Sequence, residues 1–148
     1  MTVNPILKVI GPLNVNGVQY ELATYDTAFL VGTNRDFVLL TGSKPVLVKS
    51  RMFSFTGNEI STVVYKNPTY TGGTPVTYYN LSDINPTVGE AVLLGAPTVT
   101  AVGTQISPLY RLLGSIPQGG QAVSSTDAEG GATGLERVLA PNTSYLFR

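Results

Sequence analysis

The chain has 148 residues, contains neither cysteine nor histidine, and balances nine lysine and arginine residues against nine aspartate and glutamate residues. Without cysteine there is no disulfide framework, thiolate zinc site or cysteine nucleophile, and without histidine there is no Ser-His-Asp triad and no histidine-ligated metal. The balanced charge gives no net field that would attract nucleic acid or an anionic membrane.

The length predicts a single domain over residues 1–148 that can bury its own core. Charged residues make up 12% and apolar residues 43% of the chain, which favours a protein whose surface is largely covered in an assembly. The N-terminus lacks a basic segment followed by an apolar one, and no apolar run is long enough to span a membrane. We therefore expect a soluble protein made in a cytosol.

Nearly all predicted elements are strands, because glycine and proline interrupt the chain often and the apolar spacing is two or continuous rather than helical. The predicted strands cover residues 6–10, 18–23, 28–31, 37–40, 46–55, 59–66, 76–80, 91–94, 99–102, 105–113, 136–139 and 144–147. Turn sequences such as Asn16-Gly17 separate them. This pattern predicts an all-β antiparallel domain, a β-sandwich or jelly-roll-like fold with long irregular loops.

Three segments fall outside the strand pattern. Residues 67–75 predict an irregular loop, and residues 114–134 predict a flexible Gly-rich loop that carries two carboxylates. Residues 1–12 are apolar and contain little turn chemistry after Asn4, so they predict an N-terminal arm.

Candidate chemical groups are few, and each has a simpler structural interpretation. Asp127 and Glu129, with Glu136 nearby, offer oxygen ligands for a hard cation, but their spacing does not match a calcium loop and favours solvated acids. The paired glycines at 119–120 and 130–131 lack the Lys-Ser/Thr that a phosphate loop requires. The sequence therefore predicts no cofactor and no metal.

Two further groups complete the search for chemistry. The acids at positions 26, 36, 83 and 90 could act as paired carboxylates of a glycosidase, but nothing brings two of them together. Lys44, Lys49 and Arg51 form the nearest basic group, which predicts either a contact with an acidic partner or a charge-protected edge strand. We expect no enzymatic activity and no nucleic-acid, membrane or small-molecule ligand.

The last residues of the chain, 134–148, contain the pattern Leu-x-Pro-Asn-Thr-x-Tyr-Leu-x-Arg. This segment resembles one in small virion proteins of tailed bacteriophages, where it follows a turn and enters a closing β-hairpin. Residues 73–80 and the Pro-Thr-Val-Thr run at 97–100 are similar to the same group. The resemblance implies a β-rich head decoration or accessory protein that binds the capsid exterior, often as an oligomer, and it supplies no catalytic residue.

The ends of the chain fit this interpretation on physical grounds. Residues 145–147 would form an apolar edge strand that stops in mid-pattern at Arg148, so we expect either that the sequence is truncated there or that a neighbouring chain completes the strand. Tyrosine is common at interfaces because its ring is apolar and its hydroxyl is polar. The predicted partner-binding residues are Ile6, Leu7, Val9, Tyr65, Tyr70, Tyr78, Tyr79, Tyr145, Leu146 and Phe147.

The sequence thus predicts a capsid decoration (cement) protein on the virion exterior, made in the host bacterial cytoplasm. Its predicted partners are the major capsid protein and copies of itself. The alternative is a phage tail, fibre or adaptor module in which residues 65–79 contact host glycans or neighbouring tail proteins. A secreted carbohydrate-binding sandwich is a different class, and the absence of tryptophan and of an export signal argues against it.

Overall fold

A computed structural model describes residues 3–9, 20–24, 30–55, 59–81, 88–113, 125–129 and 137–148. For residues 3–9, 49–55, 112–113 and 125–129 the description covers the backbone alone. Within these ranges the chain is all-β, with no helix and with antiparallel pairing throughout. The predicted fold class is confirmed as an all-β antiparallel domain.

The strands carry chain-order labels. They are β1 (Val3–Val9), β2 (Tyr20–Ala23), β3 (Phe37–Leu40), β4 (Val46–Phe55), β5 (Glu59–Thr62), β6 (Val64–Lys66), β7 (Thr69–Thr71), β8 (Thr74–Pro75), β9 (Tyr79–Asn80), β10 (Val92–Gly95), β11 (Thr98–Ala101), β12 (Thr104–Gln105), β13 (Tyr110–Leu113), β14 (Ser125–Glu129), β15 (Arg137–Leu139) and β16 (Ser144–Phe147).

The first sheet is built around the long strand β4 and has six strands. One side of β4 pairs with β1, which continues through β2 to the edge strand β9. The other side is shared by two strands, because β15 pairs with Val46–Val48 and β14 pairs with the part of β4 that begins at Arg51. The chain itself therefore occupies both sides of β4.

The second sheet has six strands in the order β12, β6, β16, β3, β10, β8. Its inner strands β16 and β3 come from distant parts of the chain, with Phe147 opposite Phe37 and Ser144 opposite Leu40. Two-stranded ribbons, β5 with β13 and β7 with β11, lie beside the two sheets.

One hydrophobic core joins the two sheets. The first sheet contributes Leu22, Val48 and Leu139, and the second contributes Leu39, Val64, Leu93, Tyr145 and Phe147. Each fully buried large apolar side chain contributes about 1.5–3 kcal/mol relative to leaving it in water. Because this core draws on strands from both ends of the chain, the fold depends on contacts that are remote in sequence.

Several predicted elements differ from the observed ones. Residues 30–31 of the predicted strand 28–31 instead open a turn, in which the Thr33 N–H donates to the Leu30 carbonyl at 3.2 Å; residues 28–29 lie outside the described part. The predicted strand 59–66 is two strands, because residues 59–62 pair with β13 whereas residues 64–66 pair with β16, and Val63 between them exchanges both backbone hydrogen bonds with Arg148. The predicted strand 105–113 likewise divides into β12 and β13.

The predicted loops and arm also contain strands. The predicted irregular loop 67–75 contains β7 and β8, and the predicted Gly-rich loop 114–134 contains β14, its other residues lying outside the described part. Residues 3–9 of the predicted N-terminal arm form β1, an inner strand paired on both sides. Local composition indicated irregular structure for the two loops and an arm for residues 1–12, and pairing with distant strands overrides these indications.

Candidate interaction surfaces

The C-terminal strand β16 is enclosed by the rest of the chain. It pairs with β3 on one side and β6 on the other, and the side chains of Tyr145, Leu146 and Phe147 are buried. The expectation of an unpaired apolar edge strand at residues 145–147 is therefore wrong. These three side chains belong to the chain's own core, so the surface described below does not include them.

A buried polar clamp fixes the residue that follows β16. The Arg148 guanidinium donates two hydrogen bonds to the Asp36 carboxylate, at 2.8 and 2.7 Å, and both side chains are largely withdrawn from solvent. These hydrogen bonds are the main reason why the pKa of Arg148 is raised above its ordinary value. Asp36, one of the acids considered for catalysis, is thus an ion-pair partner of Arg148.

The turn before β16 is held by the loop that follows β3. The buried Thr41 hydroxyl donates to the Ala140 carbonyl at 2.8 Å and accepts from the Thr143 N–H at 2.9 Å. The Asn142 N–H donates to the Gly42 carbonyl at 2.8 Å. Asn142 has a φ of 49°, in the left-handed region, and asparagine is one of the few residues other than glycine that adopt this conformation readily.

The other predicted partner-binding residues lie in different environments. Tyr65 on β6 is half-buried and stands opposite Leu146, and Tyr70 is half-buried on the ribbon β7·β11. Tyr78 is half-buried and precedes β9, whereas Tyr79, the first residue of β9, is 66% exposed. The predicted strand 76–80 is thus a strand only at residues 79–80. Ile6, Leu7 and Val9 lie on the inner strand β1, and their side chains are outside the described part.

Tyr78 anchors the segment before β10. Its hydroxyl donates to the Gly89 carbonyl at 2.8 Å, and its ring meets that of Tyr20 edge-on with centroids 5.1 Å apart. Burial, followed by the proximity of Tyr20, raises the pKa of Tyr78. A Cβ at position 89 would lie 3.1–3.3 Å from the Tyr20 ring and the Tyr78 hydroxyl, so a larger residue there would require these side chains to shift.

Glu90, another acid considered for catalysis, fastens the same segment to the loop after β3. Its carboxylate accepts hydrogen bonds from the Ser43 N–H at 2.8 Å and from the Ser43 hydroxyl at 2.6 Å. These hydrogen bonds, and then the charge of Lys44, lower the pKa of Glu90. A side chain on Gly42 would collide with Glu90, so this close approach also requires glycine.

Several large apolar side chains are exposed on the surface of the described residues. The turn at Leu30–Thr33 presents Leu30, 67% exposed, and Val31, 98% exposed, on adjacent positions. The turn is fixed because the Leu30 carbonyl accepts from both the N–H and the hydroxyl of Thr33, and Gly32 supplies the positive φ of 77°. The other large apolar side chains that are exposed among the described residues are Tyr79, Leu81, Val88, Val92, Leu109 and Val138.

The sequence did not single out Leu30 and Val31 as surface residues. Their apolar character placed them in a predicted strand, whereas turns usually carry Gly, Asn, Asp, Ser or Pro. The one local signal was Gly32, since a glycine after two aliphatic residues permits a tight turn. An aliphatic pair at the tip of a hydrogen-bonded turn is a preorganised contact for an apolar pocket.

The other candidate groups do not assemble into a reactive site within the described residues. Asp127 and Glu129 lie on β14, where their backbone positions are opposite Phe53 and Arg51 of β4; Glu136, Asp26 and Asp83 lie outside the described part, as do the glycine pairs. Lys44 is exposed, and for Lys49 and Arg51 only the backbone is described. Among the residues that the structure describes, no three acids come together in a metal-binding group.

Comparison with known proteins adds no relative. No family model, no curated protein and no solved structure matches this chain. Across the described ranges, no helix has the length and apolar character needed to span a bilayer.

Proposed function

We propose that this protein is a structural virion component, a capsid decoration protein that binds the exterior of the major capsid protein shell and stabilises it. The observation that carries the proposal is the turn at Leu30–Thr33, which presents two adjacent aliphatic side chains to solvent. Leaving such side chains exposed forgoes about 1.5–3 kcal/mol each, so their burial against a partner would be favourable. The resemblance of the C-terminal residues to phage virion proteins supports the same assignment.

The proposed mechanism is burial of surface, and it assigns no catalytic step to the chain. With 12% charged residues and no net charge, the protein does not depend on electrostatic attraction to the shell. A stable contact with the capsid would bury at least about 1,000 Å² in total, so the turn would act as the central anchor of a larger interface. We also propose that the two six-stranded sheets, which share one core, form a β-sandwich or jelly roll.

The test is binding of the purified protein to capsids of the phage that encodes it, measured by co-sedimentation. Replacing both aliphatic residues, Leu30→Ser with Val31→Ser, should weaken binding by about tenfold or more, because central apolar anchors dominate interface energy. Val138→Ser is the matched control, since Val138 is also exposed, at 70%, but lies on β15. Absence of the protein from purified virions, together with no co-sedimentation, would refute the proposal.

A tail, fibre or adaptor module is the second candidate, and the exposed ring of Tyr79 favours it. An exposed tyrosine has an apolar face that can pack on a sugar ring and a hydroxyl that can hydrogen-bond to it. Electron cryomicroscopy of virions separates the two candidates by position. Density over the capsid lattice supports the decoration protein, and density confined to the tail supports the alternative.

A further inference from the structure

The ribbon β7·β11 has a short edge strand, β7, that contains no charged residue, proline or bulge to protect it against strand addition. Exposed sheet edges are normally blunted by short strands, charges, proline or bulges. In the second sheet the edge strands β8 and β12 have two residues each, and β8 ends at Pro75. The ribbon β5·β13 carries the ion pair of Glu59 and Arg111.

The two strands of the ribbon β7·β11 differ from these edges and from each other. Neither strand contains a charged residue. The pairing of β11 is irregular between Val99 and Ala101, which protects its outer side. The strand β7 pairs regularly at Tyr70 and Thr71, and among the described residues no strand pairs with its other side.

The side chains of β7 are compatible with an open edge. Thr69 and Thr71 are exposed, and Tyr70 between them is half-buried on the opposite face. The left-handed residues Asn67 and Gly72, with φ of 55° and 64°, flank the strand and limit it to three residues. The edge therefore accepts a short partner strand only.

The sequence of β7 indicates what this partner is. The strand β11, with which β7 pairs in this chain, begins Thr98-Val99-Thr100. The pairing is antiparallel, with Val99 opposite Tyr70. The strand β7 itself is Thr-Tyr-Thr, which has the same pattern and reads the same in both directions. We propose that the open edge of β7 pairs antiparallel with β7 of a second copy of this chain, about a two-fold axis at Tyr70.

In this arrangement the two ribbons form one sheet with the order β11, β7, β7, β11. Thr69 of each copy faces Thr71 of the other, and the two Tyr70 rings meet across the axis; threonine and aromatic cross-strand pairs are both favourable. No like charges meet in the pairing, because the three-residue strand contains no charged residue. The contact is isologous, as in most homodimers.

The proposed pairing is weak by itself. Two three-residue strands bury much less than the roughly 800 Å² per partner of a standard interface, so we expect a dissociation constant of about 0.1–1 mM. Such a contact becomes effective when many copies are held close together, as on a shell. The inference does not rest on the proposed function, because the purified chain can pair with itself in the absence of capsids.

Charge substitutions at the two exposed threonines test the register directly, by sedimentation velocity over about 0.01–1 mM protein. Thr69→Lys with Thr71→Lys places lysines opposite each other twice and should weaken association about tenfold or more. Thr69→Lys with Thr71→Glu places opposite charges together twice under antiparallel pairing, so it should associate at least as well as the wild type. An in-register parallel pair would instead bring like charges together in that variant.

A mixing experiment supplies the matched control. The all-lysine variant and Thr69→Glu with Thr71→Glu should each remain monomeric alone and should associate when mixed. Because both positions are exposed, thermal unfolding of every variant should match that of the wild type. A wild type that stays monomeric at about 1 mM, or a Lys/Glu variant that associates no better than the all-lysine variant, refutes the pairing. Capsid co-sedimentation of the same variants reports separately on the proposed function.

Discussion

The strands β16 and β7 are both short and uncharged, and both contain a tyrosine next to a hydroxyl residue, yet they occupy opposite environments. The strand β16 is paired on both sides, and its three apolar side chains are buried. The strand β7 is paired on one side among the described residues, and its two threonines are exposed. The residues of β16 are more apolar than those of β7, but pairing with distant strands is what encloses β16, and Arg148 beside it binds Asp36, 112 residues away.

The largest expected effect comes from removing the side chain at the centre of β16. Leu146 is fully buried, at 0% exposure, between β3 and β6. Leu146→Ala should lower the free energy of unfolding by about 3 kcal/mol, because it removes apolar contacts and leaves a cavity. Denaturant unfolding followed by circular dichroism measures this change.

Tyr70→Ala on β7 is the matched substitution in the other region. Tyr70 is half-buried on a two-stranded ribbon, so we expect its truncation to cost less than that of Leu146 despite its larger side chain. Equal losses at the two positions would mean that the ribbon is as integral to the core as β16. The conclusion that β16 belongs to the core and β7 to a peripheral ribbon would then be wrong.

The second effect concerns the clamp behind β16. Asp36→Asn leaves the largely buried Arg148 guanidinium without its counter-charge, which should cost about 2 kcal/mol. Glu59→Gln removes the exposed partner of Arg111 and should cost less than about 0.5 kcal/mol. Chemical denaturation of both variants at equal ionic strength makes the comparison. If Asp36→Asn lowers the free energy of unfolding no more than Glu59→Gln does, the ion pair of Arg148 and Asp36 does not stabilise the end of β16.

The sequence predicts the fold class and three strands with their observed bounds: 37–40, 46–55 and 144–147. These strands combine apolar residues with β-branched or aromatic ones and lie between clear turn signals. The sequence does not predict which strands are internal, because β16 pairs with β3 across most of the chain. The local sequence pattern therefore predicted that the C-terminal strand would lie at the edge of a sheet.

The candidate surfaces were predictable only in part. The sequence singled out Tyr79, which is 66% exposed, but the predicted strand 76–80 that contains it is a strand only at Tyr79–Asn80. The exposed pair Leu30 and Val31 was not predicted, because aliphatic residues in a short run favour a strand. The ribbon strand β7 was missed because Pro68 and the glycines at 72–73 indicated a loop, while its partner β11 lies elsewhere in the sequence.

The third effect is a stabilisation at Ala96, between β10 of the second sheet and β11 of the ribbon β7·β11. Ala96 precedes β11 with a φ of 50°, a left-handed conformation that strains a residue with a Cβ. Ala96→Gly should raise the free energy of unfolding by about 0.5–1 kcal/mol, after the greater freedom of glycine in the unfolded chain is subtracted. Thermal unfolding measures the change.

Asn67→Gly is the matched control, because Asn67 precedes β7 with a similar φ of 55°. Asparagine tolerates the left-handed region, so this substitution should change the stability less than Ala96→Gly does. Both positions are followed by proline and lead into the ribbon. Equal effects of the two substitutions would show that backbone strain does not distinguish them.

The smallest effect is a pH dependence of the stability that comes from Glu90, which binds Ser43 in the loop after β3. The Glu90 carboxylate is stabilised in its charged form by Ser43, so its pKa in the folded chain is below the ordinary value. A group with a lowered pKa stabilises the fold above its ordinary pKa and loses that contribution as the pH falls through the lowered value. Ser43→Ala should therefore reduce the loss of stability between about pH 6 and about pH 3.

Thr98→Ala removes an equally exposed hydroxyl from the ribbon and should leave the pH dependence unchanged. The local readout is hydrogen exchange of the Asn142 N–H, which donates to the carbonyl of Gly42 next to Ser43. Acid should lower the protection factor of this N–H in the wild type, that is, the intrinsic exchange rate at the same pH divided by the observed rate, because protonation of Glu90 loosens the loop that holds the turn before β16. A protection factor at Asn142 that does not change with acid would show that the Glu90 contact does not support β16, and the ion pair of Arg148 and Asp36 would then carry that role.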